Sequence, residues 1–232
     1  DCGDALAVHG VAGAEVADID RVALSSQFMH AAEFFEGWDW YRKNYRDQIR
    51  SAAEEPERRR YYLERRQRER RATIVEHLGV NDEQIRILEH HTGHAAAAYY
   101  ASPWAGGAEQ VLVLTLDGSG DGICATVSVG HDGELERISE TESSASIGKV
   151  YSRVTFLLGM RPWQDEFKVM GMAPYADEDL KSRVRPVLDP LVQLSEGALA
   201  FEPGTHLSTN FCYSYLRSNL ENQRFDFICG AV

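Results

Sequence analysis

"EQVLVLTLDGSGDGICATVSVGHDGELERISETE", residues 109–142, decides the fold. It reads as three consecutive strands, with "DGSGDG" as the first connection and "HDG" as the second, since glycine supplies the positive φ that tight turns demand. Alternation in "VLVLTL" is poor, and that predicts a strand covered on both faces, as at the centre of a layered α/β unit. A helix is expected over about 147–158, where Ile147, Val150, Tyr151, Val154, Leu157 and Leu158 share one face and Gly159 ends it.

Working outward, "DEFKVMGMAPY", residues 165–175, has no obvious amphipathic period and leads into a loop-rich region. Another helix is expected from about 179, with weak strand signals near 192–201. Upstream, "IRIL", 85–88, and "DRVALSS", 20–26, read as short strands. Between them a helical pattern runs from about 31 to 78, aromatic at first (Phe34, Phe35, Trp38, Trp40, Tyr41, Tyr45) and then rich in arginine. Gly79 and Asn81 supply its stop.

The totals narrow the classes. At 232 residues and 26.0 kDa, with 44% hydrophobic and 26% charged residues, the chain is long enough to bury a real core. A net charge of −12 argues against general nucleic-acid binding, because a polyanion would be repelled by most of the surface. No apolar run approaches the ~20 residues that span a bilayer, and no charged-then-apolar leader opens the sequence, so no membrane is expected. The cysteines (Cys2, Cys124, Cys212, Cys229) form no CxxC pair, which points to a reducing, cytoplasmic setting. The run "RRRYYLERRQRERR", 58–71, sets eight arginines against two glutamates. A phosphate-binding face is one reading; the plainer one is a solvated helix with Glu54/Arg58, Glu55/Arg59 and Glu64/Arg68 at i,i+4.

Three of the eight histidines fall in "EHHTGHAAAAYY", 89–100. On a helix His90 and His94 project from one face a turn apart, the spacing by which two imidazoles share one metal ion. His91 points about 100° away and needs another task, such as binding substrate. Asp117 sits where the apolar strand meets its Gly-rich turn. A carboxylate there can hold a metal, and backbone N–H groups at Gly118 and Gly120 can cradle phosphate. Each signal alone has a bland counterpart: polar residues at a helix start, or ordinary hairpin chemistry. In "DEFKVMGMAPY", Lys168 offers a cation to a phosphate or carboxylate, and Gly171 lets backbone approach a ligand. The bland counterparts are a surface pair of Lys168 with Asp165 or Glu166 and a loop packed by methionines.

The order "HHTGHAAAAYYASPW", "VLVLTLDGSGD", "SIGKVYSRVTFLLGMRPWQDEFKVMGMAPYA" and terminal "RFDFICGAV" resembles the NodU/CmcH-type O-carbamoyltransferase family. The likeness is strong over residues 85–175 and weak over 1–30 and 223–232. Ala176 replaces the family's usual glycine, and Phe167 stands where a smaller or different residue is common. The resemblance implies an actin-like (ASKHA) fold with two ribonuclease-H-like lobes, related to the tRNA threonylcarbamoyl transferases. Residues 1–108 would be the rear of the first lobe, with a helical insertion at 31–78, and 109–232 the first part of the second. It also implies that His90, His94 and Asp117 bind a catalytic metal, Fe(2+) or Zn(2+), with His91 and Asp117 in catalysis. A YrdC-like domain would make carbamoyl-adenylate from carbamoyl phosphate and ATP, and the carbamoyl group would pass to a hydroxyl of a small-molecule acceptor. The family's N-terminal His-Asp motif, its fourth metal ligand (a later aspartate) and the YrdC-like domain have no counterpart here, so the chain reads as an internal fragment. The competing expectations are a non-catalytic ligand-binding or regulatory module of the same fold and a tRNA threonylcarbamoylation relative. The "KVMGMAPY" block disfavours the latter.

Overall fold

The structure is a computed structural model that describes residues 16–27, 55–197 and 199–232. The aromatic half of the expected helix, 31–54, lies outside the described residues.

The arginine-rich half is a helix, α1 (Glu55–Leu78), closed by Gly79 at φ +68°, whose N–H returns to the Val75 carbonyl. Strands β1 (Val22–Ser25) and β2 (Ile85–Leu88) pair in parallel, Val22 opposite Ile85. Ile74, Val80 and Ile85 form a small core between this pair and α1, joined by Val22, Leu24 and Ile87. Two of the guanidinium groups of α1 are paired locally: Arg65 meets Glu69 at 2.8 Å and Arg71 meets Asp82 at 2.7 Å. Arg70 donates to the Ser25 carbonyl at 3.0 Å. Of the expected i,i+4 partners, Arg68 donates to the Glu64 backbone carbonyl at 3.2 Å rather than to its carboxylate.

Residues 111–142 form the expected antiparallel meander: β3 (Val111–Gly120), β4 (Ile123–His131) and β5 (Glu134–Glu142). Both turns are two-residue Asp-Gly turns, Asp121–Gly122 at φ +53° and +87° and Asp132–Gly133 at +48° and +81°. Positive φ at both positions matches the right-handed twist of the strands they join. "DGSGDG" is therefore a connection only in its last two residues. The first four continue β3 through an irregular register between Leu116 and Gly120.

Helix α2 (His90–Tyr100) lies on the inner face of the sheet, packing Ala95 and Tyr99 against Val113. The approach is close: a Cβ on Gly130 would fall 2.3 Å from the Tyr99 ring. The outer face of β3 differs from expectation. Leu112, Leu114 and Leu116 are 63–65% exposed, so among the described residues β3 is covered on one face only. "VLVLTL" alternates in burial although not in composition.

Helix α3 (Ile147–Leu157) starts at Ser146, whose hydroxyl accepts the Lys149 N–H, and Gly159 ends it at φ +78°. Val150 and Val154 are buried in the largest core, with Tyr151, Leu157 and Leu158 packed beside them; Ile147, in the first turn, is exposed. "EFKVMGM", in which no amphipathic period was legible, is a short helix, α4 (Glu166–Met172), followed by a 3-10 turn at Ala173–Tyr175. Only Val169 of its seven residues is buried, too few to leave a periodic trace in the sequence. Short helices α5 (Glu178–Lys181) and α6 (Arg185–Leu188) follow, then a two-stranded ribbon, β6 (Gln193–Leu194) with β7 (Phe201–Glu202). Helices α7 (Tyr213–Leu220) and α8 (Phe225–Ala231) close the core through Leu216, Leu220, Phe227 and Ile228. The molecule is a mixed α/β fold, and no helix among the described residues is long and apolar enough to cross a membrane.

Candidate metal centre

Helix α2 begins with its first three N–H groups turned toward carboxylates. Glu89, the N-cap, accepts from His91 N at 2.7 Å and Thr92 N at 2.9 Å; Asp121 accepts from His90 N at 2.8 Å. These are donors a helix cannot satisfy itself, and negative charge there also complements the macrodipole. Arg137 on β5 reaches across to the Glu89 carboxylate and donates to Thr92 Oγ1 at 2.9 Å. Burial pushes the Glu89 carboxyl up, but the Arg137 hydrogen bond and the two backbone donors outweigh it and hold it below its ordinary range. The start of α2 is thereby fixed on the sheet.

That placement brings one face of α2 over the irregular segment of β3. His90 Nε2 lies 2.8 Å from Asp117 Oδ2, His94 Nε2 lies 2.9 Å from His90 Nε2, and His94 Nε2 lies 3.7 Å from Asp117 Oδ2. The three donor atoms fall within 4.8 Å of one another, the one such group among the described residues with metal-ligating types. Two nitrogens and an oxygen bound at ~2.1 Å stand about 3.0 Å apart at right angles and about 3.4 Å apart at tetrahedral angles. The observed edges bracket those lengths, so the residues fit a single ion. His94 is half-exposed, which leaves the open side toward solvent.

Asp117 is not at the end of its strand, as its position before the glycines suggested. It stands in the bulge of β3, a feature that re-aims a side chain and recurs beside active sites. Burial pushes its carboxyl up, but the His90 hydrogen bond and the Gly118 N–H outweigh this and keep it ionised, as a metal ligand requires. Nearby Cys124 is no ligand: burial pushes its thiol up to about 12, and it donates to the Glu142 carbonyl.

The other residues singled out from sequence fall differently. His91 is 0% exposed; its Nδ1 lies 2.7 Å from Thr115 Oγ1 and its Nε2 3.1 Å from the Ile123 carbonyl. Burial lowers its pKa, so a neutral ring braces α2 on the sheet, enclosed where no substrate reaches it. Gly120 makes room for the imidazole, for a Cβ there would lie 2.0 Å from His90 Cδ2. Gly118 is packed by the start of α3: the Ser146 hydroxyl donates to its carbonyl at 2.7 Å, and a Cβ on Gly148 would come within 3.0 Å of its Cα. Lys168 stands on the surface with its ammonium 2.8 Å from Asp165, and Gly171 is exposed, with open space where a Cβ would project. Neither joins the group around Asp117.

Sequence reasoning missed Asp121, Glu89 and Arg137. The signal for Asp121 was the second aspartate of "DGSGD", hidden because Asp-Gly is also ordinary turn chemistry.

The family described as "Carbamoyltransferase N-terminus" matches residues 12–222. Nodulation protein NolNO of Sinorhizobium fredii is 38% identical over 98 residues, 42% of this chain and 14% of that protein. Nodulation protein NolO of Bradyrhizobium diazoefficiens is 36% identical over 92 residues, covering 40% and 16%. An uncharacterised protein of Methanocaldococcus jannaschii is 38% identical over 71 residues, covering 31% and 14%. The matched segments thus span 14–16% of these relatives' own length.

Proposed function

The chain belongs to the carbamoyltransferase family, by a match to its N-terminal region over residues 12–222, and from that premise we propose that it is the metal-bearing part of an O-carbamoyltransferase. The observation that carries this reading is the convergence of His90, His94 and Asp117 on one metal-sized point. The donor set suits Fe(2+), for which two histidines and a carboxylate with open positions are characteristic, and is also compatible with Zn(2+). An actin-like architecture agrees with the three-stranded antiparallel meander followed by α3, and the lobes would divide near residue 109.

The reaction is transfer of a carbamoyl group from carbamoyl-adenylate to a hydroxyl of a small-molecule acceptor. The acceptor oxygen bonds to the carbonyl carbon, the bond from that carbon to the adenylate phosphate oxygen breaks, AMP leaves, and the hydroxyl proton passes to a base or solvent. A divalent ion at the centre would supply Lewis-acid polarisation of the carbamoyl carbonyl, a poor electrophile without it. His90, His94 and Asp117 would hold that ion on a helix and a strand rather than on loops, which keeps its position fixed. The exposed side of His94 leaves room for the substrate oxygen. ATP and carbamoyl phosphate enter as co-substrates of a YrdC-like domain in the longer protein, and the setting is cytoplasmic.

The test uses the full-length protein with ATP and labelled carbamoyl phosphate. Asp117→Ala is expected to retain formation of carbamoyl-adenylate and to lose transfer to hydroxyl acceptors. Undiminished transfer in that variant would overturn the proposal.

A further inference from the structure

We propose that Asp121 is a positioning residue for the metal centre: its buried carboxylate ties the end of β1 to the first turn of α2 and so fixes where His90 presents its imidazole. The inference rests on the metal reading above.

Asp121 is 1% exposed. Both its oxygens accept from Gln27 N at 2.8 Å, Oδ1 also accepts from Ser26 Oγ at 3.0 Å, and Oδ2 from His90 N at 2.8 Å. These partners are all donors and both oxygens are used, so an acceptor-only carboxylate fits where an amide would turn an N–H₂ against an N–H. The β1 side of this junction is gripped a second time, for Arg70 of α1 donates to the carbonyls of Ser25 and Ser26. Ser26, outside any hairpin turn, holds left-handed backbone at φ +77° and donates to Asp121. Non-glycine residues keep such conformations only where their surroundings over-determine them.

The consequence falls on His90. Its backbone N–H is held by Asp121 while its ring rests on the bare Cα of the neighbouring Gly120. Residues 120 and 121 thus fix both ends of one candidate ligand, and Asp117 meets that ligand's Nε2 at 2.8 Å. Contacts run unbroken from Arg70 through Ser25–Gln27 and Asp121 to His90. Metal sites lose affinity when residues that orient a ligand are altered, typically by about 10–100-fold.

The experiment uses the full-length protein with cobalt(II) as the probe, reading its dissociation constant by chelator competition and its d–d absorption bands. Asp121→Asn is expected to weaken cobalt(II) by about 10–100-fold and to change the bands of the folded protein. Ser26→Gly, which removes one donor while relieving the positive φ, keeps the fold and should weaken the ion several-fold. Val184→Ala, a core deletion in the helical cluster, lowers the melting temperature yet should retain the parent affinity and spectrum, separating positioning from stability. Parent-like affinity and bands in both Asp121→Asn and Ser26→Gly would overturn the inference, and Ser26→Gly alone decides if Asp121→Asn does not fold. Failure of the parent itself to bind cobalt(II) would overturn the metal reading and this inference with it, a result distinguishable because it appears without any substitution.

Discussion

Gly120 and His90 leave no room for a methyl group, since a Cβ at 120 would overlap the imidazole at 2.0 Å. Gly120→Ala should therefore push the ring aside, costing about 1–3 kcal/mol by overpacking and depleting bound metal, measured by urea denaturation and elemental analysis. His91, about 100° round the same helix turn and turned into the sheet, should behave differently. His91→Ala leaves the Ile123 carbonyl without its ring partner and opens a cavity, at a cost of about 2–4 kcal/mol, while metal content per folded molecule stays at the parent level. A loss of metal at parent stability would instead put His91 in the centre. Lys168→Met removes an exposed pair with Asp165, so its denaturation midpoint should stay close to that of the parent. At this scale the sequence disclosed which side chains converge: His90, His94 and Asp117 lie within 4.8 Å of one another. The i,i+4 histidines and Asp117 carry their chemistry in their spacing and identity, whereas Asp121 and Gly120 matter only through a fold that brings them under His90.

At the scale of elements, the decisive one is the start of α2, held by Glu89, Arg137 and Asp121. Glu89→Ala removes the cap of two N–H groups and leaves Arg137 with Glu140 as its remaining carboxylate partner, so unfolding free energy should fall by about 1–2 kcal/mol. A change near zero in denaturant midpoint would mean that water replaces the cap without loss. The strands and their order were legible because each tight turn carries an Asp-Gly pair at positive φ. The bulge that aims Asp117 was not, since "DGSG" reads equally well as turn and as irregular strand. Helix α4 was missed because its single buried residue leaves no period, and the one-sided cover of β3 was missed because leucine stands on both of its faces.

For the whole molecule, the arginine helix drew attention as a cationic face; among its described side chains, Arg65, Arg71 and Arg70 are engaged with Glu69, Asp82 and a β1 carbonyl. The core of helices α3, α7 and α8 encloses Cys212 and Cys229, whose thiols burial pushes up to about 11. A raised pKa in the folded state contributes stability that is complete below the unfolded value and is lost as pH rises through the folded one. The melting temperature should therefore fall between about pH 9 and pH 11, and iodoacetamide at pH 8 should modify these two thiols only after denaturation. Rapid labelling of the native protein would contradict the packing of that core. Family membership and the α/β class follow from the chain as a whole, whereas the claim about chemistry rests on three side chains. Its most direct test is metal analysis with X-ray absorption on protein purified without chelator or histidine tag. The account predicts one ion per chain with two imidazole nitrogens and a carboxylate oxygen at about 2.0–2.2 Å, absent from His94→Ala and Asp117→Ala. A parent protein without metal, or an ion retained at parent stoichiometry in both variants, would contradict it.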